Sequence, residues 1–63
     1  MRKIKAKELQ ITDRLITEPE RGNRSWAIAR IQRIPGERRS VQVWTSGHGT
    51  WNYEPNEIVA IAT

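Results

Sequence analysis

Sixty-three residues hold one domain with one modest core, and a chain this short buries only roughly 60% of the surface its unfolded form exposes. Cysteine is absent and histidine occurs once, at His48, which excludes disulfides, thiolate metal sites, cysteine nucleophiles and a histidine-rich metal centre. Eleven Lys and Arg against seven Asp and Glu leave a formal net charge of +4, and eight of the eleven are arginine, the side chain best suited to bidentate phosphate contacts and to stacking on flat rings.

The run Met1-Arg2-Lys3-Ile4-Lys5-Ala6-Lys7 is charged and leads into no apolar stretch, so it does not read as a signal peptide. Residues 1–8 read instead as a solvated, frayed basic arm. A helical turn is expected within residues 4–9, but not a long helix, because Thr12-Asp13 follow at once. No apolar run approaches a membrane span, so the expected compartment is the cytoplasm, with no membrane partner.

Beyond the arm, turn signals recur at short intervals: residues 19–23, Pro35-Gly36, Ser46-Gly47-His48-Gly49 and Pro55-Asn56. Short segments between regularly spaced turns predict an all-β sandwich or barrel. Five strands are expected, over residues 14–18, 25–34, 40–45, 50–54 and 58–61. In the second, Ala27, Ala29 and Ile31 share one phase while Ile34 falls on the other. A bulge or bend near Gln32-Arg33 would reconcile them and let a long strand turn a corner. The third alternates cleanly, with Val41 and Val43 on one face and Gln42 and Trp44 on the other. In the fourth, Trp51 and Tyr53 share a face. No linker or repeat divides residues 1–63, which read as a single domain.

The stretch Gly49-Thr50-Trp51-Asn52-Tyr53-Glu54-Pro55-Asn56-Glu57-Ile58-Val59-Ala60-Ile61 resembles the closing strands of an SH3-like small β-barrel. The entry Ala6-Lys7-Glu8-Leu9-Gln10-Ile11-Thr12-Asp13-Arg14-Leu15-Ile16 is similar to the lead-in of such barrels, with Thr12 where they usually carry glycine. Tudor-like modules, ribosomal and transcription-factor barrels, and short barrel proteins of actinobacteria and their phages share this layout. The resemblance implies a five-stranded SH3-like barrel with a short 3₁₀ turn at Pro55-Asn56-Glu57 before the last strand. It carries no function with it, because fold likeness does not transfer function.

Nothing in the sequence points to an enzyme, a cofactor or a metal. His48, between two glycines, reads as an exposed hairpin-tip residue with few partners. Glu54 and Glu57 read as flanking the helical turn, with Glu57 satisfying backbone donors. Gly47-His48-Gly49 lacks the following helix that a phosphate-cradling loop needs.

Charge and aromatics point to binding. Residues 21–39 carry six arginines against Glu37 alone. If Ile31, Val41 and Val43 face inward, the period of two places Arg30 and Gln32 on the same outer face as Gln42 and Trp44. Arg38 and Arg39 then sit at the hairpin tip, with Arg33 just below. A flat ring among guanidinium groups and amides suits nucleic acid, DNA or RNA, with weak sequence preference, through stacking and phosphate neutralisation. Three other readings stand beside it. Trp44 covers the stem of Arg30 on a plain amphipathic face. Trp26, Trp51 and Tyr53 line a groove for an acidic or extended peptide of a protein partner. Or the chain self-associates and buries Trp44 between copies.

Overall fold

The computed structural model describes residues 1–62. It is all-β, with strands β1 (Arg2–Lys5), β2 (Arg14–Ile16), β3 (Trp26–Arg33), β4 (Val41–Thr45), β5 (Gly49–Tyr53) and β6 (Ile58–Ala62). The six are antiparallel neighbours in one open sheet of order β1-β6-β2-β3-β4-β5. The only helical turns among the described residues are two three-residue 3₁₀ segments, Ala6–Glu8 and Pro19–Arg21.

Five of these strands fall where turn spacing predicts them. The sixth, β1, replaces the expected solvated arm. Its residues pair with β6 from Arg2↔Ile61 to Lys5↔Ile58, which half-buries Ile4 while the basic side chains stay in solvent. The Lys5 N–H then donates to the Glu8 carboxylate at 2.9 Å, turning the chain into the first 3₁₀ segment and seating Ala6 in the core. The 3₁₀ turn expected before the last strand is a single hydrogen-bonded turn, with the Glu57 N–H donating to the Glu54 carbonyl at 3.0 Å. Glu57 does serve a backbone donor there, accepting from the Glu54 N–H at 3.1 Å.

The bulge in β3 lies at Ala29 and not near Gln32-Arg33. Ile28 pairs with Thr45 and Arg30 with the adjacent Trp44, so Ala29 has no partner opposite. That extra residue lets Ile28 and Ile31, three apart, both turn toward the core. It also bends the strand, whose first two residues pair with β2 while the remainder pairs with β4. At the β3–β4 connection, Pro35-Gly36 forms a tight turn in which the Glu37 N–H reaches the Ile34 carbonyl at 3.4 Å. Gly36 has φ +86°, a value that only glycine adopts without strain.

The core draws on every strand: Leu15, Ile28, Val41, Val43, Val59 and Ile61 are buried with Ala6 and Leu9, and Ile4, Ile31, Trp51 and Tyr53 pack around them. Thr45, the one buried polar side chain among the described residues, donates to the Gly49 carbonyl at 2.7 Å, so its burial leaves no unmet hydrogen bond. Leu15 is fully buried at the centre of β2, the shortest strand. Leu15→Ala is expected to cost about 2–5 kcal/mol, a large share of the margin of so small a domain. Urea unfolding of the two chains measures it; an unshifted midpoint would mean that the core does not depend on β2.

Candidate nucleic-acid interface

The outer face of β3, β4 and β5 forms a small grid. Arg30 lies opposite Trp44, and Trp44 opposite Thr50; Gln32 lies opposite Gln42, and Gln42 opposite Asn52. The two rows are adjacent and contain no carboxylate. Their common facing follows from the register beyond the bulge, in which the inward residues Ile31, Val41 and Val43 alternate with them. The Arg30 guanidinium carbon sits 4.9 Å from the Trp44 ring centroid, and one of its nitrogens donates to the Gln32 side-chain oxygen at 3.3 Å. Trp44 therefore faces outward yet is half-buried, roofed by a cation instead of standing free.

The remaining arginines divide. Arg38 and Arg39 occupy the β3–β4 connection and are exposed. Arg38 approaches Glu54 at 3.4 Å, an exposed ion pair that holds it only weakly. Arg33 departs from the expected cluster. It lies opposite Val41, on the inward-facing side, and its guanidinium donates to the carbonyls of Lys7 at 3.0 Å and Leu9 at 3.1 Å. Arg33 thus ties β3 to the first 3₁₀ segment and is occupied by the fold.

Trp26, Trp51 and Tyr53 do not line one groove. Trp26 and Trp51 flank a stack whose middle layer is His48. The Trp26 and His48 ring centroids are 4.1 Å apart with planes 4° from parallel, and His48 and Trp51 are 5.7 Å apart at 21°. The Arg24 guanidinium carbon covers Trp26 from outside at 4.6 Å, and the Trp51 indole N–H donates to the His48 carbonyl at 3.2 Å. Gly47, at φ +85°, makes the tight turn that folds His48 back over the sheet. His48 is therefore no idle tip residue: it has an indole on each side and the Glu18 carboxylate 3.8 Å from Nε2. Sequence distance hid this set, which comes from the β2–β3 connection, the start of β3, the β4–β5 loop and β5. Beside the stack, Thr17, Glu18, Arg21, Arg24, Trp26 and His48 line a cleft of about 210 Å³.

Tyr53 lines a different cleft, of about 180 Å³, with Ile16, Pro19 and Glu57 among its walls. Burial raises its phenol from the ordinary 10.0 to about 12, and the Glu57 carboxylate adds to the shift. Among the described residues no three of His, Cys, Asp and Glu gather into a set able to hold a metal ion, and no helix is long and apolar enough to cross a membrane. Comparison with protein-family models, with curated proteins and with solved structures finds no match to this chain.

Two outcomes follow. His48→Ala removes both aromatic contacts, each worth about 0.5–1.5 kcal/mol, so the variant is expected to unfold at lower denaturant and to lose near-ultraviolet circular dichroism from the indoles. An unchanged midpoint would show that the stack adds nothing to stability. For Tyr53, the folded chain keeps a proton that the unfolded chain releases above pH 10, so the phenol's contribution is intact below pH 10 and lost as pH rises to about 12. Over that interval the native chain is expected to lose more stability than Tyr53→Phe, read from unfolding curves at stepped alkaline pH.

Proposed function

We propose that this chain is a small basic nucleic-acid-binding accessory protein whose contact surface is the outer face of β3, β4 and β5. The carboxylate-free grid carries the reading: Arg30, Trp44 and Thr50 in one row, Gln32, Gln42 and Asn52 in the next. A ring, a guanidinium and three side-chain amides on one sheet face meet the three needs of a single strand. The indole offers a stacking plane, the amides offer both donors and acceptors to base edges, and the arginines neutralise phosphate. A base that takes Arg30's place over Trp44 frees that guanidinium for the backbone. Arg38 and Arg39, on the adjoining connection, extend the positive edge along which a strand runs. Phosphate contacts dominate such a surface, so sequence preference is weak. The proposed scaffold is an SH3-like barrel that has gained an N-terminal strand, acting in the cytoplasm of a cell or of a phage-infected host.

The test is a fluorescence-anisotropy titration of labelled single- and double-stranded oligonucleotides at two salt concentrations. Arg38→Ala with Arg39→Ala is expected to weaken binding alike for all sequences and to lower the salt slope by roughly one to two, at about 0.7–0.9 per lost phosphate contact. Trp44→Ala is expected to cost on the order of 1–3 kcal/mol for single strands and to leave the slope nearly unchanged. Absence of binding by the native chain at low salt overturns the proposal.

A further inference from the structure

The sheet order leaves β1 and β5 with one free edge each, and the two edges are built differently. Three of the four β1 residues, Arg2, Lys3 and Lys5, are basic. A second copy approaching there meets like charge, the usual protection of an exposed edge. β5, Gly49-Thr50-Trp51-Asn52-Tyr53, has no charged residue and no proline, and it pairs with β4 without a bulge from Thr45↔Gly49 to Val41↔Tyr53.

Alternation identifies which backbone groups face outward on β5. The Ile34 N–H donates to the Ser40 carbonyl at 2.9 Å, which makes that facing pair a hydrogen-bonded one. In an antiparallel ladder hydrogen-bonded pairs alternate with non-bonded ones, so Gln32↔Gln42 and Arg30↔Trp44 bond in turn. Gln42 and Trp44 therefore aim their backbone at β3, while Val41, Val43 and Thr45 aim theirs at Tyr53, Trp51 and Gly49 of β5. The intervening residues, Thr50 and Asn52, direct N–H and C=O away from the sheet. Both are exposed, and among the described residues no turn or loop backbone hydrogen bond engages either of them.

We propose that β5 is a self-association edge on which a second copy of this chain pairs antiparallel, about a two-fold axis through Trp51. That register is self-complementary. Thr50 of each copy faces Asn52 of the other, and the two facing pairs exchange four backbone hydrogen bonds that satisfy all the outward groups of both residues. Trp51 faces its own counterpart at the non-bonded position, where cross-strand side chains are closest and aromatic pairs are most favourable. No charge in either strand opposes the approach. A two-fold axis also makes the contact closed, so it ends at two copies and does not propagate into fibres. On the outer face the row Arg30–Trp44–Thr50 of one copy continues into Asn52–Gln42–Gln32 of the next, giving one unbroken surface of twice the width. The pairing does not rest on nucleic-acid binding, and salt separates the two. Each copy carries +4, so screening strengthens association between copies while it weakens phosphate contacts.

Sedimentation velocity of the full chain, from micromolar to millimolar concentration at low and high salt, is expected to show a monomer–dimer equilibrium that tightens with salt. Amide exchange at Thr50 and Asn52 is expected to slow as concentration rises, with exchange in β1 unchanged. Thr50→Lys combined with Asn52→Lys sets ammonium groups opposite one another at both facing pairs while changing only exposed side chains. This variant should keep its circular dichroism and dimerise at least tenfold more weakly. Thr50→Pro removes one outward N–H without breaking a bond to β4 and should weaken the dimer in the same direction. A native chain that stays monomeric throughout, a folded double variant that dimerises as well as the native chain, or protection that falls outside β5 would each overturn the proposal.

Discussion

Side chains on a strand alternate between faces, so one extra residue reverses the facing of everything beyond it. In β3 that residue is Ala29, and the rest of the molecule follows from it. Without the bulge, Ile28 facing inward would bring Arg30 and Gln32 inward and turn Ile31 out, placing a guanidinium in a core made of Leu, Ile, Val and Ala. With it, Ile28 and Ile31 both reach the core and Arg30 and Gln32 join Trp44 and Gln42 outside. The same irregularity bends the strand, so that its start pairs with β2 and its remainder with β4. The sheet can then bring all six strands onto one set of apolar side chains.

A domain of this size has little apolar surface to bury, and the aromatics make up the shortfall in an uneven way. Trp26 and Trp51 are partly exposed, but with His48 between them and Arg24 outside they form a continuous stack at one margin of the core. This stack adds side-chain contact between the β4–β5 loop and the start of β3, which the Ser46 N–H also joins by donating to the Ala27 carbonyl at 2.8 Å. Arg33 does the corresponding work elsewhere by donating to the Lys7 and Leu9 carbonyls. Trp44 is the exception. It stands half-buried on the outer face, apart from that stack, and among the described residues its stacking neighbour is the Arg30 guanidinium.

Under the proposed function the two faces do different work. The inner face and its margin hold the chain together. The outer face of β3, β4 and β5 is amide-rich and free of carboxylates over two rows, and its free edge at β5 is uncharged. The positive charge is concentrated around this face without filling it, since Arg38 and Arg39 lie on the connection and Arg30 is folded over Trp44. A phosphate backbone would follow the margin while bases meet the centre.

Much of this is legible in the residues themselves. Gly and Pro placed the turns, strict alternation from Val41 to Thr45 put the valines in and Trp44 out, and the shared facing of Arg30, Gln32, Gln42 and Trp44 follows from that parity. These are local properties, set by the period of the strand and by the backbone freedom of a few residues. What the sequence could not determine depended on partners distant in the chain. Lys3 and Lys5 look like a solvated arm until β6 supplies a strand for their backbone to pair with. The bulge expected near Gln32-Arg33 moves to Ala29 once the register with β4 is known. Arg33 looks like another surface cation until Lys7 and Leu9 present two carbonyls to it. His48 looks idle between its glycines until two indoles, from β3 and β5, close on its ring. Alternation and turn chemistry act over a few residues and can be read in one dimension, whereas pairing, stacking and capping are contacts that exist only once the sheet has curved and brought those residues together.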